Sequence, residues 1–114
     1  MAYLKTFGGS ILLVIEDGKI KEFSGQIKYF IRDNKLTDFS GKIIYVLDGN
    51  YIKDFSGRIL LNITTNQVKE FSGRIIATFD SSYIREFSGS IQYKIDGFLS
   101  RRELMALLAL IYAC

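Results

Sequence analysis

Residues 23–38 read FSGQIKYFIRDNKLTD and residues 39–54 read FSGKIIYVLDGNYIKD, from Phe23 to Asp38 and from Phe39 to Asp54. Phe-Ser-Gly returns at Phe55, Phe71 and Phe87, once every 16 residues, and Phe7-Gly8-Gly9 is a sixth, degenerate copy. A short fixed period of this kind marks a repeat architecture in which each copy is one supersecondary unit. Counted from the Phe, the third column is always Gly and the fifth always Ile, from Ile11 to Ile91. The seventh column holds Leu13, Tyr29, Tyr45, Leu61, Ala77 and Tyr93, and the ninth is apolar throughout, from Ile15 to Ile95. Apolar residues in alternate columns, rich in β-branched and aromatic types, predict a half-buried strand with columns five, seven and nine facing inward.

Two turn-forming residues follow each strand, among them Asp17-Gly18, Asp33-Asn34 and Gly49-Asn50. Such pairs tolerate the positive φ of a tight hairpin turn. The chain then returns through a short strand with Ile20, Leu36, Ile52, Val68 or Ile84 in column fourteen. In a two-residue turn this column lies opposite the ninth, so the apolar faces agree. The return strand ends in an acid-Phe-Ser-Gly quartet such as Glu22-Phe23-Ser24-Gly25, which suits a type I turn capped by the carboxylate. The pattern leaves the face of the Phe column open, because a bulge near the Gly would reverse it.

The ends complete the architecture. Residues 2–7 match a return strand, whereas the sixth copy lacks one after its long strand, Ser90 to Asp96. The sequence therefore predicts 12 antiparallel strands in six 16-residue hairpin repeats, closed by pairing of the first strand with the last. A helix takes the place of the missing return strand. Ser100 and Glu103 have capping-box spacing, and the run from Leu104 to Cys114 is apolar on every side. Twelve strands tilted near 40° put the barrel wall roughly 11–12 Å from its axis, which leaves a hole the width of a helix. About 14 helical residues span roughly 21 Å, and a seven-residue strand rises about 18 Å. A mainly β, closed meander barrel filled by helix 100–113 is the expected fold, in a single domain over residues 1–114.

Hairpin strands around the apolar stretch Leu104 to Cys114 resemble, in architecture, the tubby-like barrel of tubby proteins, phospholipid scramblases and LURP-one-related proteins. They also look like small bacterial hairpin-repeat domains of the beta-flower type. The resemblance spans the chain and implies the fold; it carries over no site residue.

Composition narrows the chemistry. The 114 residues include no His, Pro or Trp and one Cys, which excludes His-bearing triads, zinc fingers and disulfide frameworks. Charge is nearly balanced at +3, with 15 basic and 12 acidic side chains, so nucleic acid is not an expected partner. Residues 1–6 do not read as a signal peptide, and the 11-residue apolar run from Leu104 falls short of the roughly 20 needed to span a bilayer. A cytoplasmic protein with a free Cys114 thiol is the resulting expectation. Neither GxGxxG nor GxxxxGK[ST] occurs, and nothing in the sequence asks for a cofactor or metal. The turn acids Glu22, Asp38, Asp54, Glu70 and Glu86 read as caps, because a ring of turns spreads carboxylates apart where calcium needs 6–8 converging oxygens. Sixfold sameness also argues against catalysis, since an active site needs asymmetry.

Two surfaces stand out. Lys21, Lys42, Lys53, Arg58, Lys69, Arg74 and Arg85 form a possible basic rim near the Phe-Ser-Gly end for an anionic ligand or lipid surface. The acids of the neighbouring column are expected to neutralise much of it. Leu12, Val14, Phe30, Ile44 and Val46, in outward columns six and eight, form a possible interaction patch for a protein partner or a second copy. A non-catalytic structural or interaction module is the leading expectation, and a binder of an anionic ligand or membrane the alternative.

Overall fold

Alternating apolar residues, tight turns and closure produce the architecture the repeat implies. The computed structural model describes residues 1–113; the thiol expected of Cys114 lies outside the described residues. In chain order the elements are β1 (Ala2–Thr6), β2 (Ile11–Glu16), β3 (Lys19–Glu22), β4 (Ile27–Arg32), β5 (Lys35–Asp38) and β6 (Ile43–Asp48). They continue with β7 (Tyr51–Lys53), β8 (Ile59–Ile63), β9 (Gln67–Glu70), β10 (Ile75–Phe79), β11 (Tyr83–Glu86), β12 (Ile91–Gly97) and α1 (Arg101–Tyr112). Each strand pairs antiparallel with its chain neighbours, and β1 pairs with β12 to close the barrel. The sheet has no free edge to recruit another strand.

The two kinds of turn differ as their residues require. At one end Glu16 pairs with Lys19 and Arg32 with Lys35, leaving two-residue loops. Asp17 and Gly18 accordingly take φ of 50° and 74°, the positive values of a type I′ turn. At the other end the Gly25 N–H donates to the Glu22 carbonyl and the Glu22 N–H to the Gln26 carbonyl, both at 2.9 Å. This is a three-residue Phe-Ser-Gly loop whose Gly sits at left-handed φ, between +96° and +101° in all six copies.

One inward column is corrected. Lys5 pairs with Ile11 while Leu4 pairs with Leu13, so one extra residue bulges between them. The same shift recurs in the other five long strands. Cross-strand partners share a face, so the fifth-column Ile stand on the outer wall beside the cations of column fifteen. The sixth column leans in instead: Ile44, Leu60 and Ile76 pack against the core, although that column was expected to point out. Columns seven, nine and fourteen form the inner layer, with Ile15, Ile20, Leu36, Ile52, Ile63 and Ile84 fully buried.

The helix runs through this layer. Met105, Ala106, Leu107, Leu108 and Ala109 are each at most 3% exposed. Five consecutive residues at 100° apart circle the helix axis, so side chains of the barrel enclose it on every side. Ser100 caps it as its spacing implies, accepting from the Glu103 N–H while Glu103 Oε1 accepts from the Ser100 N–H. Arg101 ties this end to the two-residue turns, donating to the Ile63 carbonyl at 2.7 Å and the Thr64 carbonyl at 3.1 Å. Twelve residues make about 18 Å of helix, matching the shortest of the 36 × 35 × 20 Å extents. The molecule is a disc with the helix along its short axis.

Leu107→Ala should cost about 2–5 kcal/mol in urea unfolding, as a fully buried Leu leaves a cavity. Leu107→Asp, which buries an unpaired charge, should not fold. A chain ending at Gly97 that stayed folded and soluble would show that the barrel does not need its plug.

Candidate functional site

The three-residue loops place the Phe column on the surface. Phe7, Phe23, Phe39, Phe55, Phe71 and Phe87 are 62–78% exposed, one at each turn around a single end of the barrel. Neighbouring turns stand two strands apart, roughly 10 Å, so the six rings form a crown around that end. Three of them lie beside the outer wall of the preceding repeat: Lys94 Nζ lies 5.6 Å from the Phe7 ring centroid, Phe23 shares a groove with Ile11 and Val14, and Phe87 shares one with Arg74 and Ile75. Ile11 and Ile75, two of the fifth-column Ile that the bulges turn outward, thus extend the aromatic crown down the wall.

The expected basic rim divides into two tiers. Lys42, Arg58 and Arg74 lie at the crown, immediately after the Gly of three adjacent turns. Lys21, Lys53, Lys69 and Arg85 lie lower on the outer wall, in register with the fifth-column Ile. Their neutralising partners are not the acids expected. Lys21 pairs with Glu16 at 3.7 Å, Lys53 with Asp48 at 2.7 Å and Arg85 with Asp80 at 3.0 Å. Glu22 follows Lys21 in one strand and so faces the opposite side, in register with Leu13 at the barrel mouth. These partly exposed pairs contribute about 0–1 kcal/mol each. At the crown itself Arg74 pairs with Glu70 and Lys28 with Glu22, while Asp38 and Asp54 accept from the backbone N–H groups of Lys42 and Arg58 at 3.0 Å.

The turn acids act as caps. Asp38 Oδ1 accepts from the Ser40 N–H at 2.9 Å, the Ser40 hydroxyl at 2.6 Å and the Lys42 N–H at 3.0 Å. Asp54 repeats the arrangement on Ser56 and Arg58. Foremost through these Ser hydroxyls, both carboxyls are held below the ordinary 3.8. At the sixth turn the capping links to the plug. The Tyr112 hydroxyl donates to Gln92 Oε1 at 3.0 Å, and Gln92 Nε2 donates to Glu86 Oε1 at 2.9 Å. Burial, then the nearby Tyr93 and Glu86, push the Tyr112 hydroxyl up to about 12.

The expected patch on the first hairpins is less open than the sequence implies. Leu12 is 41% exposed, whereas Val14, Phe30 and Val46 are half-buried on the outer wall and Ile44 turns to the core. In register beside them stand Lys21 at Val14, Lys19 at Phe30, and Lys35 and Lys53 at Val46. Arg32 stacks on the Phe30 ring at 4.7 Å. The long stems of such cations cover apolar wall. Away from the crown, a recess of about 110 Å³ lies beside Phe98, Leu99 and Leu104 and a larger one of about 490 Å³ beside Arg101 and Arg102. Among the described residues no group of three or more Cys, Asp or Glu stands together as a metal site, and no helix is long and apolar enough to cross a membrane. The chain matches no protein-family model, no curated protein and no solved structure.

Two pH limits follow from the shifted groups. Because the Asp38 and Asp54 carboxyls are lowered on folding, their contribution is present above 3.8 and lost as pH falls through their lower folded values. Asp38→Asn with Asp54→Asn should flatten the fall of melting temperature as pH drops below about 4. Tyr112 is raised, so its contribution is present below 10 and lost as pH rises toward 12. Tyr112→Phe should remove that alkaline component of the melting curve.

Proposed function

We propose that this protein is a non-catalytic interaction module, a rigid plugged barrel that presents six phenylalanines as a docking face. The observation that carries the reading is the 62–78% exposure of all six Phe at one end. Full burial of one such ring is worth about 1.5–3 kcal/mol, and none of the six spends it on the barrel's own core. Contiguous exposed apolar surface of this extent marks a protein or membrane contact. Sixfold repetition supports contact over catalysis, because the crown offers one chemistry six times.

An anionic membrane surface is the second reading, favoured by Lys42, Arg58 and Arg74 on three successive crown turns. The architectural likeness to tubby-like and scramblase barrels lends neither reading a ligand.

Replacing the six crown Phe by Ser should leave far-UV circular dichroism unchanged and the melting temperature within a few degrees, while abolishing association. The assays are sedimentation of the protein alone and flotation with vesicles of phosphatidylcholine, with and without phosphatidylserine. If the natural protein associates in none of these assays, or the sixfold variant associates as well as it does, the crown is not a docking face.

A further inference from the structure

We infer that the occupant of the crown is a second copy of this chain, docked crown to crown; this rests on the docking role proposed above. The first support is shape. A helix about 10 Å wide covers only part of a ring on a disc 36 × 35 Å across, whereas a second crown has the same outline. Self-complementary contact of one face with itself is the isologous arrangement of a two-fold dimer.

Area agrees. At about 200 Å² per Phe, exposures of 62–78% leave roughly 850 Å² of aromatic surface on each crown. As the most the rings can bury, it is of the same order as the ≈ 800 Å² each partner contributes to a standard stable interface.

Charge decides between a second copy and an anionic bilayer. In turns three to five each cation is matched by an acid of the same turn: Lys42 by Asp38, Arg58 by Asp54, Arg74 by Glu70. The second and sixth turns carry Glu22 and Glu86 with Gln26 and Ser90 where those cations stand. With Lys28, which pairs with Glu22 at 3.0 Å, and Lys94 beside the Phe7 ring, the crown carries five bases against the five turn acids, so it has no net positive charge to draw it to a negatively charged surface. Two facing crowns related by a two-fold axis can instead set turns three and five, with Lys42 and Arg74, against turns two and six, with Glu22 and Glu86, while Arg58 faces turn one, which carries no acid. In that orientation unlike charges meet around the aromatic ring.

Sedimentation velocity of the intact chain from 1 to 200 µM tests this. The expected species at high concentration has twice the 13.0 kDa chain mass. Phe98→Ser, at the opposite end of the disc, should leave the dimer intact, and the sixfold Phe→Ser variant should remain monomeric. A Ser56→Cys, Cys114→Ser protein should crosslink as a dimer with a short bismaleimide, and Ser81→Cys, Cys114→Ser should not. A monomer at 200 µM, a dimer that survives the sixfold replacement, or crosslinking only through Ser81→Cys would overturn the inference. A monomer whose crown still drives flotation on vesicles would overturn the second copy while leaving the docking face in place. A monomer that binds no vesicles would remove both.

Discussion

Twelve strands make a barrel wider than side chains can fill, and this constraint governs the rest of the molecule. A wall roughly 11–12 Å from its axis leaves a central void unless another element enters it, and interiors close-packed to crystal density do not tolerate such voids. α1 supplies the volume, with Leu107 and Leu108 fully buried at its centre. Its length, its Ser100 cap and its Arg101 tie to Ile63 and Thr64 fix where it sits. Both core layers, inner wall and plug, are therefore needed together. Neither buries its apolar face alone.

Much of this was legible in the residues. The 16-residue period, the turn pairs Asp17-Gly18 and Gly49-Asn50, the orphan return strand at residues 2–7 and the capping box each carry a local physical signature. The bulge was not read, because an invariant Ile in the fifth column looks like core when alternation is counted through it. Its trace was present in the adjacent pairs Ile43-Ile44, Ile59-Leu60 and Ile75-Ile76, where two consecutive apolar residues break the alternation. One inserted residue per repeat moves a column from the core to the wall, and with it the surroundings of every cation in column fifteen.

The crown escaped the sequence for a different reason. The face of a Phe beside a Gly turn stays open in the pattern, because alternation cannot be counted through a bulge there. What sets its exposure is the loop: a three-residue turn ending in a left-handed Gly holds Phe at the tip, beyond the reach of the core. Asp38 and Asp54 then accept from the Ser40 and Ser56 N–H groups, which spends their carboxylates on the turn backbone. Rigid tips and rings spared from the core are both products of the same quartet.

Closure has a consequence in time. β1 is the first strand made, and its partner β12 and the plug that follows come last. At roughly 5–20 residues per second, β1 waits on the order of 10 s for its second neighbour. Throughout that interval the growing meander shows a bare strand at each side and an unfilled concave face. A chain that ends safely sealed must pass through its most adhesive form while still attached to the ribosome. The span from first strand to last, more than the strength of any one hairpin, sets how long it is vulnerable to its own neighbours.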